Sequence, residues 1–260
     1  MSHAATERSP HAAAHPFLDK EHHKIRRLFD GVAPRYDLLN HLLSFQLDRW
    51  WRRRAVAELA CIRDGRYLDA CCGTGDLAFA IERRLRRLGG GRVMASDFSL
   101  NMLELGRRKR GVEATATCLL AGDTLKLPFD ARSFDGITIG FGIRNVENLS
   151  GALEELARVL KPGARLVLLE FTAMTLPVLK NFYDFYSQRV LPRIGNWISG
   201  SRDRAYSYLQ ESIARWPRGE PLAEQMRARG YQEVRWRRLF PGNVALHVGL
   251  RARETDERWS

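Results

Sequence analysis

Short apolar runs recur along the chain at Tyr67–Cys71, Val93–Ala95, Ala116–Leu120, Gly136–Ile139 and Leu166–Leu169. Such short, mostly apolar runs look like buried parallel strands. Between several of them, Leu77–Leu88, Met102–Arg110 and Gly151–Leu160 carry apolar residues at helical spacing. This alternation predicts an α/β fold, a doubly wound sheet with helices on both faces. Lys161-Pro162-Gly163 is expected to end one helix and turn into the next strand. Upstream, Lys20–Asp30 reads as a short helix carrying Ile25, Leu28 and Phe29. A polar turn with Pro34 comes next, and Gln46–Ala60 reads as a second helix centred on Trp50-Trp51-Arg52-Arg53-Arg54. Thr172–Arg218 breaks the rhythm: it is long, helical in period and aromatic, with Phe182, Tyr183, Phe185 and Tyr186 close together. Leu222–Arg229 restores a helix. Two closing strands, near Val234–Leu239 and Val244–Leu250, flank Pro241-Gly242-Asn243 and predict a hairpin-like end to the sheet.

With 260 residues, 45% of them apolar, the chain suits one domain with a full core. Residues 1–19 read as a disordered tail and 20–260 as the domain. No apolar run approaches membrane-spanning length, and Met1–Pro16 lacks an apolar stretch of signal-peptide length, so secretion is not expected. Cys61, Cys71, Cys72 and Cys118 form no C-x-x-C pair, which fits a reducing cytoplasm. The histidines lie mostly near the N-terminus without a thiolate or carboxylate cluster, so no metal site is expected. The formal net charge of +12 comes almost wholly from arginine, with only six lysines. It makes contact with anionic lipid or RNA electrostatically easy.

The chemistry concentrates at Leu68-Asp69-Ala70-Cys71-Cys72-Gly73-Thr74-Gly75-Asp76-Leu77, where a strand runs into a glycine turn and a helix opens. Gly73 and Gly75 permit unusual dihedrals and close backbone approach, and the helix start offers free N–H groups. Alone, Gly73-Thr74-Gly75 is a weak signal, equally a tight strand–helix turn, and with Ala78 it fits a loose dinucleotide fingerprint. Asp97 ends the second strand some 20 residues past the glycines, where a carboxylate can accept from both ribose hydroxyls. Asp123 comes after the third strand, where it can accept from an adenine amino group. Asp69, Asp97 and Asp123 are thus expected at the carboxyl ends of adjacent strands, the crevice in which open α/β sheets bind ligands. The alternative is that Asp97 and Asp123 only cap the helices or turns next to them. Asp69, near the turn, could meet the α-ammonium group of S-adenosylmethionine. A dinucleotide dehydrogenase is the nearest competitor, but it usually needs a second domain that this length barely allows.

From about Ile25 to Arg251 the chain resembles the menaquinone and ubiquinone biosynthesis C-methyltransferases. The segments that carry the resemblance are Phe29–Asn40, then Leu43-Ser44-Phe45 and Trp51; Ile139–Val146; Arg158–Gly163 with Glu170-Phe171; Tyr208–Ile213; and Val244–Gly249. Tyr36–Asn40 and Phe141–Asn145 are the most specific. The chain departs from the family pattern at Asp48 for His, Leu39 for Met, Ala164 for Gly, Thr172 for Ser and Thr124 for Ala. Asp48 could alter the substrate mouth. The resemblance implies a class I S-adenosylmethionine-dependent methyltransferase, Rossmann-like, with N-terminal helices and a helical cap insertion at 172–218. It implies cofactor contacts at Thr74, Asp97, Asp123 and Thr124. The expected reaction is C-methylation of a polyprenylated quinol ring. Demethylmenaquinol is favoured because Cys71-Cys72 and Gly140 resemble the menaquinone branch, with a ubiquinone-pathway benzoquinol or another small phenol as alternatives.

On that reading Arg144 lies just past the fourth strand at the methyl-transfer edge, where its guanidinium could stabilise phenolate; a structural ion pair is the plainer role. Asn145, Tyr36 and His247 could orient or relay protons, and a satisfied core histidine is the alternative for His247. Leu179, Phe182, Phe185, Tyr186, Leu191 and Trp197 could line a route for the prenyl tail, face a dimer partner, or simply pack the cap. The Trp50–Arg54 cluster resembles an interfacial membrane contact at the inner face of the membrane; the alternative is a solvated basic helix with one buried Trp. Nucleic acid is not the expected partner. The place after the fourth strand lacks the [DN]-P-P-[FYW] motif of amino-methylating enzymes, and no cysteine fits the cytosine-C5 pattern. A non-catalytic S-adenosylmethionine-binding protein is the remaining rival.

Overall fold

The computed structural model describes residues 44–110, 116–172 and 216–253. The Lys20–Asp30 helix, Tyr36 and nearly all of the 172–218 insertion lie outside the described residues. In chain order the elements are α1 (Leu47–Glu58), β1 (Arg66–Ala70), α2 (Asp76–Leu88), β2 (Arg92–Asp97), α3 (Leu100–Lys109), β3 (Thr117–Ala121), β4 (Phe134–Gly140), a 3₁₀ turn (Ile143–Asn145), α4 (Leu149–Val159), β5 (Leu160–Phe171), α5 (Glu220–Arg227), β6 (Tyr231–Leu239) and β7 (Val244–Arg251).

The seven strands form one sheet in the order β3-β2-β1-β4-β5-β7-β6. The first five are parallel, and β7 runs antiparallel to both β5 and β6. Strand order reverses between β1 and β4, so a crevice opens beyond their carboxyl ends. Side-chain alternation sorts the core into two layers. Tyr67, Val93, Ala95, Val167 and Leu169 pack with α1, α2 and Leu103 of α3 on one face. Leu68, Ile137, Ile139, Leu166 and Leu168 pack with α4 and α5 on the other.

The closing hairpin forms as expected. The Lys161-Pro162-Gly163 turn does not separate helix from strand. Leu160 already pairs with Phe134, the chain bulges through Lys161–Ala164, and Arg165 rejoins opposite Gly136. Gly163 turns that bulge at φ +76, a conformation that suits glycine.

On α1, Trp51, Ala55 and Val56 are buried while Arg49, Arg53 and Arg54 face solvent. Trp51 Nε1 donates to the Phe240 carbonyl at 2.7 Å, pinning α1 to the β6–β7 turn. In this structure α1 is a basic helix with one buried Trp. Among the described residues no helix is long and apolar enough to cross a membrane.

Candidate functional site

The glycine turn runs from Cys71 to Gly75 between β1 and α2. Gly73 and Gly75 take φ +56 and +84, which lets the chain reverse within a few residues. Gly75 N–H donates to the Cys72 carbonyl at 2.9 Å, and Cys72 N–H donates to the Ser96 carbonyl at 3.0 Å. The turn is thereby sewn to the end of β2.

Asp97 completes that seam. Its Oδ2 accepts from Gly73 N–H at 2.8 Å and its Oδ1 from Ser99 N–H at 2.9 Å. Both the ligand and the capping readings predicted a carboxylate here, and in this structure the carboxylate holds the turn against the start of α3. Each oxygen keeps a further lone pair for a hydroxyl. Burial raises its carboxyl pKa, opposed by the backbone N–H groups of Ser99 and Gly73.

Asp69, on β1, is buried facing α2. Thr138 donates to its Oδ1 at 2.7 Å. The Ala78 N–H lies near enough to favour the carboxylate, yet Oδ2 is buried without a hydrogen bond of ordinary geometry. Burial pushes this carboxyl up to about 7. One residue before Asp97, Ser96 Oγ is also buried without a partner. A Cβ at Gly122 would lie 2.5 Å from it, so only glycine fits there as the structure stands.

Asp123 lies two residues beyond β3, where its Oδ1 accepts from Leu125 N–H at 2.9 Å within its own turn. The local capping role is therefore occupied, on a half-buried side chain. Thr124 is buried with Oγ1 3.2 Å from Cys71 Sγ. Thr74 is buried, and Lys109 Nζ donates to its Oγ1 at 3.3 Å. Asp69, Gly73, Thr74, Gly75, Asp97 and Thr124 thus converge on one crevice. Its two buried unpartnered oxygens and raised carboxyls suit a ligand that brings donors and positive charge.

The other wall comes from β4 and β5. After Gly140, Phe141 takes φ +60 and Gly142 backs onto Cys71, so closely that a Cβ at Gly142 would collide with that of Cys71. The 3₁₀ turn then carries Arg144 and Asn145. Arg144 is 6% exposed, and its Nη1 donates to Glu170 Oε1 at 2.8 Å and to the Phe141 carbonyl. Glu170 is 1% exposed, and its Oε2 is buried without a hydrogen bond. The guanidinium lies 5.3 Å from the centre of the Phe171 ring, and Phe171, Phe141 and Trp51 form a tilted aromatic series. Burial pushes the Cys71 thiol up to about 12, with the negative charges of Asp97, Asp69 and Glu170 adding to it. All three carboxylates therefore lie within electrostatic reach of the turn.

The ion pair weighed for Arg144 is thus present, at the edge where the substrate-side reading put it. Asn145 shares the same turn, half-buried. His247 lies elsewhere: it is buried on β7, paired with Leu168 and Trp236, its Nε2 3.0 Å from the Gly219 carbonyl and its ring stacked on Trp236. Burial lowers its pKa to about 4, so it is a neutral core histidine at working pH. Asp48, the departure expected to bear on the substrate mouth, lies on the buried face of α1. It is buried, accepts from Ser44 Oγ at 2.9 Å and pairs with Arg52.

Sequence reasoning gave no site role to Glu170 or Ser96, and placed Arg52 only in the basic Trp50–Arg54 cluster. Glu170 carried a readable signal, a single acid at the end of the apolar run Leu166–Leu169. Ser96 beside Asp97 carried none.

Comparison with known proteins identifies the family. The profile of the ubiE/COQ5 methyltransferase family matches residues 18–251. The demethylmenaquinone methyltransferase of Mycobacterium marinum is 41% identical over 234 residues, 90% of this chain and 96% of that protein. The ubiquinone/menaquinone biosynthesis C-methyltransferase UbiE of Syntrophotalea carbinolica is 46% identical over 232 residues, 89% and 95% of the two chains. Among solved structures, a Thermotoga maritima S-adenosylmethionine-dependent methyltransferase, described as a possible histamine N-methyltransferase, superposes with a TM-score of 0.60 at 19% identity, covering 87% of this chain and 99% of that one; it supports the fold alone. With the family profile covering nearly the whole chain, and relatives above 40% identity matched almost end to end, the chain belongs to the ubiE/COQ5 methyltransferase family.

Proposed function

We propose that the chain transfers a methyl group from S-adenosylmethionine to a ring carbon of a polyprenylated quinol, converting demethylmenaquinol to menaquinol. The names of its relatives point to this acceptor. The observation that carries the reading is the buried carboxylate pair Asp69 and Asp97 at the glycine turn, beside an aromatic wall of Phe141 and Phe171 at the end of β4. Bound S-adenosylmethionine supplies an electrophilic methyl group on a sulfonium. Asp69 faces the cationic amino-acid end, while Asp97 accepts from the ribose and Asp123 and Thr124 border the adenine.

An aromatic carbon becomes a nucleophile when an adjacent phenol loses its proton to solvent, and free phenols titrate near ~10. The carbon that gains the methyl, as the S–CH3 bond breaks to leave S-adenosylhomocysteine, passes its hydrogen through solvent back to the phenolic oxygen, so one proton is released overall. The Arg144 guanidinium stabilises the phenolate form. The aromatic walls keep the ring aligned and water out. Asn145 and Tyr36 orient the phenolic oxygens.

The exposed Arg53 and Arg54 of α1, with Arg83, Arg84 and Arg87 of α2, present a basic surface to an anionic bilayer in which such a quinol resides.

The test is methyl transfer from labelled S-adenosylmethionine to reduced demethylmenaquinone in detergent micelles, with a reduced ubiquinone precursor and tRNA in parallel. Labelling of the naphthoquinol, lost in Asp97→Ala and Arg144→Ala, supports the proposal. Labelling of the benzoquinol alone moves the substrate and keeps the mechanism. Labelling of neither lipid, with tight cofactor binding, refutes the quinol assignment.

A further inference from the structure

One set of charges is not used by the methyl-transfer chemistry. Arg52 of α1 pairs through Nη1 with Asp48, one helical turn earlier, and reaches Asp76 Oδ2 at 3.2 Å. Asp76 is the first residue of α2, immediately after Gly75. Its Oδ1 contacts Lys109 Nζ at the end of α3, and the same ammonium donates to Thr74 Oγ1. The series runs from α1 to α2 to α3 and returns to the centre of the glycine turn. Its first three members are largely shielded: the side chains of Asp48, Arg52 and Asp76 are 3%, 14% and 19% exposed. Water and salt therefore compete with these contacts weakly. Both carboxylates are met by the same nitrogen, Nη1, so one end of the guanidinium bridges α1 to the first residue of α2. Arg52 is also near enough to Asp69 to favour its charged form. On the same helix, the neighbouring Trp51 packs against Phe141 on the acceptor wall.

We propose that Arg52 is a positioning residue for the cofactor turn, locking the start of α2 to α1 so that the donor crevice and the acceptor wall are set by one helix. The proposal needs only that the crevice binds the methyl donor, and it does not depend on which acceptor is methylated.

The test is calorimetric titration of the full chain with S-adenosylhomocysteine. Arg52→Met keeps the apolar stem and removes the charge. It should weaken binding about tenfold, the scale of coupling between side chains in one ionic network. Arg52→Lys should restore much of the loss, ending about threefold weaker than wild type, since it keeps the charge on a shorter, more strongly hydrated head group. The losses in Arg52→Met and Asp76→Asn should not add in the double variant, because each breaks the same contact. In turnover, the KM for the donor should rise in Arg52→Met with kcat much less affected, a split that general destabilisation would not give. Wild-type affinity in folded Arg52→Met, or full additivity with Asp76→Asn, overturns the proposal. If Arg52→Met does not fold, Arg52→Lys carries the test, and unchanged affinity there overturns it equally.

Discussion

Removing the Glu170 carboxylate strands a buried cation, and the geometry sets the size of the effect. Arg144 and Glu170 are 6% and 1% exposed and 2.8 Å apart. At an effective dielectric of about 20 their attraction is about 6 kcal/mol, set against a desolvation penalty of several kcal/mol for each ion. The pair is thus near break-even, while either ion alone is costly. Glu170→Ala should destabilise the fold by about 3–5 kcal/mol. Glu170→Gln, which keeps an acceptor for Nη1, should cost about 1–3 kcal/mol. In an Arg144→Met background the same Glu170→Ala change should cost far less, since no cation remains to be stranded. Urea unfolding of the four proteins, monitored by tryptophan fluorescence at constant pH, completes the cycle and gives a coupling of about 2 kcal/mol or more. An additive cycle, or a loss below about 1 kcal/mol in Glu170→Ala, would refute the reasoning and mean that water reaches the pair.

Asp69 has a carboxyl pKa of about 7 from burial, so below that pH a cationic ammonium can bind beside it only by expelling a proton. Affinity for S-adenosylhomocysteine should fall by up to about tenfold per pH unit below 7, and Asp69→Asn should remove the slope in a calorimetric pH series. The same shift means that Asp69 erodes stability as pH rises from the ordinary carboxylate range towards 7, and Asp69→Asn should relieve this above pH 7. His247 is shifted the opposite way for a base, to about 4. Its stabilising contribution is complete above pH 6.5 and lost as pH falls towards 4, by up to about 3 kcal/mol. Denaturation at pH 4.5 and 7 should show a smaller difference in His247→Leu, with kcat at pH 7.5 within about threefold of wild type, as for a core residue away from the reacting atoms. Gly142→Ala drives a Cβ into that of Cys71 and should cost about 1–3 kcal/mol by overpacking. Because the clash is between Cβ atoms, Cys71→Gly should restore thermal stability and cofactor affinity while Cys71→Ala should not.

The sheet was legible because largely buried parallel strands appear as short, mostly apolar runs, and each of the five runs overlaps a strand. Their polar ends were not legible in the same way. Ser96 and Asp97 belong to β2 by hydrogen bonding, although they interrupt its apolar pattern. The Lys161-Pro162-Gly163 segment looked like a stop between elements. Pairing of Leu160 with Phe134 made it a bulge inside β5, a tertiary outcome that local turn chemistry cannot report. The candidate site divides along the same line. Spacing along the chain placed Asp69, Asp97 and Asp123 at the ends of adjacent strands, because βα units fix where strand ends fall. It left the choice between ligand contact and local cap open for Asp97 and Asp123. In the structure Asp97 seams the turn to α3 with both oxygens, and Asp123 closes its own loop with Oδ1. The partners of Arg144 and Arg52 lie 26 and 24 residues away in Glu170 and Asp76, on neighbouring elements whose approach depends on strand order and helix packing. A sequence offers many acids to each arginine, and only the fold selects one. The charges chosen in this way surround the glycine turn and the Phe141–Phe171 wall, the two places where the proposed function requires reactants to be held without yielding. The fold-dependent pairs are therefore the substitutions on which the functional reading is most exposed to test.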